Sequence, residues 1–186
     1  MTTTASRSAG TRDASHLRTF LSVAIQDIDR ATLVFARTHG HAPAVERAVA
    51  AYSRAGEHAA GWLALGLAGA ALSRGPEQRR AWLRGACVVA ASYGLNQAIK
   101  FVVRRPRPDL DGLPPLSPVV TRLSFPSAHA TTSFAAARAY GSLAPRWALY
   151  LAAAMIALSR PYLGVHYPSD VVAGALLGTA FAEVLT

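Results

Sequence analysis

Cysteine is nearly missing from this chain: Cys87 stands alone among 186 residues. One cysteine excludes an internal disulfide and a zinc site built on cysteines. Its position inside an apolar run predicts a role in helix packing. Acidic residues are also sparse, ten against nineteen lysines and arginines, for a net charge of +9. That balance suits anionic lipid headgroups, a phosphorylated substrate or nucleic acid. The arginines are separated by apolar runs instead of gathered on one polar helix, so no nucleic-acid partner is expected. Residues 1–16 contain no apolar stretch of the ~7–15 residues that a secretory signal needs. They are read as a disordered tail preceding one domain over residues 17–186.

What the chain has in quantity is apolar residues, 52% against 16% charged. Much of that content is alanine, and the mean hydropathy is only +0.23. The two readings are weakly hydrophobic membrane helices or a very helical soluble bundle. From Leu17 to Thr38 a stripe of Leu21, Ile25, Ile28 and Phe35 recurs at helical spacing, interrupted by Asp27, Asp29 and Arg30. This pattern predicts an amphipathic helix lying along a membrane interface. A second short one follows over Pro43–Ser53. Five stronger stretches come next: Glu57–Ser73, Glu77–Arg104, Ser127–Gly141, Arg146–Arg160 and Ser169–Leu185. A spanning helix needs roughly 20 residues, so the third and fourth are short. Their number, the polar turns between them and the GxxxG spacing of Gly174 and Gly178 favour spanning. The expected fold is all-α, a polytopic membrane helical bundle of about five membrane helices with one or two N-terminal interfacial helices.

Polar chemistry concentrates in three short pieces: KFVVRRPRP from Lys100, FPSAHA from Phe125 and LSRPYLGVHYPSD from Leu158. If each strong helix crosses, the second ends, the third begins, the fourth ends and the fifth begins on one face, which gathers all three pieces. Lys100, Arg107 and Arg160 then supply positive charge and Ser127 a neutral donor. Pro106 and Pro108 stop the second helix near Arg105, so that Arg107 curls back from an extended segment with a planar fork suited to two phosphate oxygens. Pro126 fits the first position of the third helix, and the free N–H groups near Ser127, Ala128 and His129 would face an anion. With His129, His166 and Asp170 added, the set holds a phosphate, a nucleophile and an acid. A His-x3-Asp pair is also a possible metal pair, but Pro168 interrupts the helix there and no third ligand is evident. No metal or other cofactor is expected.

The spacings Lys-x6-Arg-Pro, Pro-Ser-x-His and Ser-Arg-x5-His-x3-Asp resemble the type 2 phosphatidic acid phosphatase (PAP2) superfamily, which includes vanadium haloperoxidases. Ala128 departs from the glycine more usual at its position. The strings GEHAAGWL, FPSAHAT and LGVHYPSD are most similar to the small actinobacterial decaprenylphosphoryl-5-phosphoribose phosphatases. The resemblance implies that His166 attacks phosphorus to form a phosphohistidine and that His129 protonates the leaving alkoxide. It further implies that Asp170 holds the other ring nitrogen of His166, and that Lys100, Arg107, Ser127, Ala128 and Arg160 bind the phosphate. The function implied is a metal-independent, multi-pass phosphatase of the inner membrane. Its substrate would be a polyprenyl-linked phosphomonoester, with undecaprenyl diphosphate or phosphatidylglycerophosphate as alternatives. A vanadate-using haloperoxidase would share the pocket, and an anionic-lipid binder without catalysis would not need both histidines. Glu57 and His58 enter the first strong helix on the same side, where they either touch the substrate headgroup or cap the helix. The proline-rich segment 105–126 reads as a lid or rim.

Overall fold

The protein, seen here in a computed structural model, is described for the backbone of residues 5–186 and for side chains from residue 20 onward. Of the disordered tail expected over residues 1–16, residues 5–16 are instead helical backbone of α1, and residues 1–4 lie outside the described residues. The order of elements is α1 (Ala5–Thr38), α2 (Pro43–Arg54), a single 3-10 turn (Glu57–Ala59), α3 (Ala60–Leu72), α4 (Pro76–Val103), α5 (Ala128–Ala139), α6 (Arg146–Tyr162) and α7 (Pro168–Leu185). Among the described residues the chain is all-helical, with one isolated antiparallel bridge between Pro106 and Leu123.

The short α5 sits at the centre because its sequence is small. Ala130, Thr131, Ser133, Ala135, Ala136 and Ala137 are all fully buried, so the other helices can approach its backbone. The approach is closest from α7. A Cβ added at Gly174 would stand 2.6 Å from the Ser127 carbonyl oxygen, and one at Gly178 would collide with the Thr131 carbonyl. The GxxxG spacing thus brings two backbones together, as small residues do in membrane bundles. On the opposite flank Trp62 of α3 donates its indole N–H to Ser133 Oγ at 2.8 Å. The Tyr140 hydroxyl donates to the Trp62 carbonyl at 3.0 Å, and the Trp82 and Tyr140 rings lie 5.1 Å apart.

The interior is therefore small and partly polar, while large apolar side chains face outward. Leu72 on α3, Val102 on α4, Leu158 on α6 and Val184 on α7 are 83%, 82%, 65% and 84% exposed. A water-soluble protein avoids so wide an apolar exterior. Among the described residues two helices, α4 and α7, are long and apolar enough to cross a membrane. At a rise of 1.5 Å per residue, α5 is only about 18 Å long, and its neighbours enclose it.

One expectation about facing is corrected by the structure. Cys87 is exposed. The buried face of α4 runs through Trp82, Gly85, Val89, Ser92, Asn96 and Lys100, and position 87 falls off it. In α1 the stripe Leu21, Ile25, Ile28 and Phe35 faces outward, as an interfacial helix requires, but Asp29 does not join the polar exterior. Asp29 is 2% exposed and points inward with Leu33 and Arg37. Arg37 donates to the Pro114 carbonyl at 2.7 Å, which ties α1 to the segment preceding α5.

Candidate active site

The C-terminus of α4, the N-terminus of α5, the C-terminus of α6 and the turn into α7 meet at one end of the bundle. Lys100 is 3% exposed there. Its ammonium donates to the carbonyls of Leu123, Ser124 and Pro126 at 3.2, 3.2 and 3.1 Å. All three of its donors hold the backbone that leads into α5, so Lys100 brings charge to the site and shapes it. One turn later α4 stops at Arg104, whose φ of 54° is left-handed, and Arg105 precedes Pro106 in extended chain. Segment 105–126 then doubles back: the Arg107 N–H donates to the Arg122 carbonyl at 3.1 Å and the Ser124 N–H to the Arg105 carbonyl at 2.8 Å. This fold-back aims Arg107 into the site as expected. Its Nε donates to the Thr121 carbonyl at 2.6 Å and its Nη1 to the Val165 carbonyl at 2.6 Å.

The start of α5 differs from expectation. Ser127, not a residue before Pro126, is the N-cap, with its Oγ accepting from the Ala130 N–H at 3.5 Å. A serine hydroxyl satisfies a first-turn donor that proline and phenylalanine cannot, so the helix begins two residues later. Ser127 is fully buried, and its own N–H donates to the Asp170 carbonyl at 3.0 Å. It stands behind the cavity instead of lining it. The first-turn N–H groups left for an anion are those of Ala128 and His129. Asn96 on α4 fixes this corner, donating to the Pro126 carbonyl at 3.2 Å and to Thr131 Oγ1 at 2.9 Å.

From α6, Arg160 is 5% exposed. Its Nη1 donates to Ser53 Oγ at 2.5 Å, and its buried Nε has no partner among the described residues. The chain then turns through Gly164 at a φ of +73°, where a Cβ would also lie 2.7 Å from Arg37 Nε. Glycine is required on both counts. The turn delivers His166, 2% exposed. Its Nε2 lies 3.1 Å from Arg107 Nη1, and its Nδ1 lies 3.5 Å from Asp170 Oδ2. Arginine offers only donors, so Nε2 presents its lone pair and Nδ1 carries the proton toward Asp170. At 3.5 Å that pair is in electrostatic contact but longer than a hydrogen bond, and Nδ1 has no hydrogen-bond partner among the described residues. Burial first, then the charges of Arg107, Arg160 and Lys100, holds the His166 imidazole well below its ordinary pKa. The ring is neutral, with the electron pair on Nε2 engaged by Arg107.

Asp170 is in turn fixed by residues that sequence reasoning missed. Arg105 Nη1 donates to Asp170 Oδ1 at 2.8 Å and to Ser169 Oγ at 2.7 Å, while its Nη2 donates to Asp29 Oδ2 at 2.7 Å. Asp29 Oδ1 accepts from the Ser169 N–H at 2.8 Å, and the guanidinium lies 4.1 Å over the Tyr167 ring. The Tyr167 N–H donates to Asp170 Oδ2 at 2.9 Å. Lys100, Arg107, Ala128, His129, Arg160 and His166 all line one cavity. Ser127 and Asp170 are held directly behind it.

That cavity is built from segments that match a known family. Residues 81–186 match the model of the PAP2 superfamily. The chain is 43% identical over 132 residues to decaprenylphosphoryl-5-phosphoribose phosphatase of Mycolicibacterium smegmatis, covering 71% of this chain and 72% of that protein. It is 40% identical over 133 residues to the Mycobacterium tuberculosis protein of the same name, covering 72% and 74%. The chain belongs to the PAP2 superfamily. Its fold is similar to that of a transmembrane PAP2-type phosphatidylglycerolphosphate phosphatase from Bacillus subtilis, with a TM-score of 0.71 at 24% identity over 87% of this chain and 84% of the other. Membership, together with the likeness to these phosphatases, makes the chain a membrane phosphatase of the PAP2 type.

Proposed function

We propose that this PAP2 phosphatase removes the terminal phosphomonoester from a polyprenyl-linked sugar phosphate, decaprenylphosphoryl-5-phosphoribose being the best candidate. We further propose that it acts in the inner membrane as a single multi-pass domain over residues 17–186, in which α3, α4, α6 and α7 surround α5. The observation that carries the reading is the convergence of two histidines and three buried or half-buried cations on one cavity.

In the proposed reaction the phosphate enters between Arg107 and Arg160. The unpartnered Arg160 Nε and the N–H groups of Ala128 and His129 receive its oxygens, and Arg107 turns its Nη1 from His166 to the phosphate. This frees the Nε2 electron pair, which attacks phosphorus while the bond to the ester oxygen breaks. His129, which takes up a proton as the phosphate dianion binds beside it, gives that proton to the ester oxygen, so the alcohol leaves neutral. His129 then takes a proton from water as the water oxygen attacks the phosphohistidine. Inorganic phosphate departs and both histidines return to their starting states. Asp170 stabilises the positive charge on His166 at each step, as a carboxylate does behind a catalytic histidine.

The test is phosphate release by purified protein in detergent containing EDTA, with wild type and His166→Ala compared on decaprenylphosphoryl-5-phosphoribose and undecaprenyl diphosphate. Release that survives EDTA, is lost in the variant and is faster with the first substrate is expected. Release undiminished by His166→Ala contradicts the reaction, and preference for the diphosphate contradicts the substrate.

A further inference from the structure

Beyond the phosphate cradle the cavity has a polar wall that the reaction does not use: Glu57, His58, Tyr93 and Gln97 line it together with His129 and Arg160. We propose that this wall is the subsite for the leaving alcohol and that it recognises a hydroxyl-rich pentose ring. This rests on the functional reading above and deepens it.

Position is the first argument. The ester oxygen departs on the side of His129. A Cβ added at Gly56 would lie 2.9 Å from His129 Cδ2, so the backbone entering Glu57 presses on the acid's ring. Glu57 and His58 therefore stand where the carbon skeleton of the alcohol must lie. From the other wall, Gln97 and Tyr93 precede Lys100 by three and seven residues on α4. The helical rise sets them about 4.5 and 10.5 Å along the axis from the cradle, the span of one sugar ring and the group beyond it.

Backbone geometry is the second. His58 and Ala59 are consecutive non-glycine residues in the left-handed region, with φ of 50° and 61°. Such conformations are disfavoured for L-residues and cluster where a side chain must be aimed. Here the turn holds His58 Nδ1 2.9 Å from the Tyr93 hydroxyl, with the two rings edge to face. An end cap for α3 needs no such arrangement, and Glu57 makes no capping bond within the turn.

Chemistry is the third. A carboxylate accepts, an amide both donates and accepts, and a phenol does either. A vicinal diol offers each of these a partner. A prenyl chain in the same position would leave four polar groups facing hydrocarbon, and sites built to bond hydroxyls reject analogues that lack them. The wall therefore selects for sugar as well as holding it.

The experiment measures kcat/KM in detergent for two phosphomonoesters, a short-chain prenylphosphoryl-5-phosphoribose and geranylgeranyl phosphate, which lacks the sugar. Wild type is compared with Gln97→Leu, Glu57→Gln and the near-isosteric Tyr93→Phe. The readout is the ratio of the two constants within one preparation, which partial misfolding cannot change. Wild type is expected to favour the sugar ester, and each variant to lower that ratio about 10- to 100-fold. A sugar preference that survives all three substitutions overturns the subsite while leaving the functional reading intact. A wild type that prefers geranylgeranyl phosphate overturns both.

Discussion

At the scale of single residues, His166 and His129 carry opposite tasks, and each leaves its own kinetic trace. Removing a general acid costs about 10²–10⁴ in rate, but the cost depends on how much help the leaving group needs. His129→Asn is therefore expected to cut turnover of an alkyl phosphomonoester by that factor and turnover of p-nitrophenyl phosphate much less. An equal loss on both would contradict the role of acid. For His166 the shift is downward, caused by burial and then by Arg107, Arg160 and Lys100. Between its ordinary value of about 6.5 and the lower folded value, the unfolded chain binds a proton that the folded chain refuses. Stability is thus fullest above about pH 6.5 and falls as pH drops through that window. Catalysis follows the neutral ring, so the acid limb of kcat/KM is expected below pH 6.5. Arg107→Gln removes one of the depressing charges and is expected to move that limb upward on the same substrate. A limb that stays in place would contradict the electrostatic cause.

Arg105 belongs to the same scale. It bridges Asp170 and Asp29, two carboxylates that are 0% and 2% exposed. Removing one partner of a buried pair costs about 3–5 kcal/mol, so Arg105→Leu is expected to lower the thermal midpoint and the turnover together. Lysine lacks the fork that reaches both acids, so Arg105→Lys is expected to rescue little. An unchanged midpoint in Arg105→Leu would show that the bridge contributes nothing.

At the scale of elements, the fold hangs on how closely α5 and α7 approach. Gly178 faces the Thr131 carbonyl with no room for a Cβ. Gly178→Val is expected to separate the helices and abolish folded, active protein, whereas valine at Gly75, where nothing lies within reach of a Cβ, is expected to be tolerated. The check is monodispersity in detergent beside activity. Helix positions were legible in the sequence because apolar periodicity and the Gly-x3-Gly spacing are local signals. The gathering of Lys100, Arg107, His129, Arg160 and His166 was legible because alternating helices return the chain to one face. Partners across long separations were not. Ser53 meets Arg160 across 107 positions and Asp29 meets Arg105 across 76, and neither Ser53 nor Asp29 lies in a motif. Asp29 read as a polar interruption of α1 because nothing local marks an inward-facing acid. The N-cap at Ser127 was misjudged by weighing Pro126 above the better capping residue. Cys87 was misplaced because a uniformly apolar run does not say which side is packed.

At the scale of the whole molecule, the small polar interior and the large apolar exterior define its solvent. Cys87 lies on the outer face of α4, about eleven residues from the start of the helix at Pro76 and sixteen from its end at Val103, and about 16 Å from the nearer end at the helical rise. In reconstituted vesicles it is expected to react with a lipid-soluble maleimide and to resist a charged, impermeant one until detergent is added. Rapid labelling by the charged reagent in intact vesicles would contradict a lipid-facing α4.

The claim on which everything else depends is that His166 becomes covalently phosphorylated. The direct measurement is to mix enzyme with substrate labelled with ³²P in the terminal phosphate, quench in alkali within milliseconds, and map the label. A phosphoramidate that is stable in base, labile in acid, located on His166 and missing from His166→Gln is the expected result. Burst release of the alcohol ahead of phosphate should accompany it. Full turnover with no label trapped on His166, or label on His129 instead, would contradict the assignment of nucleophile and acid.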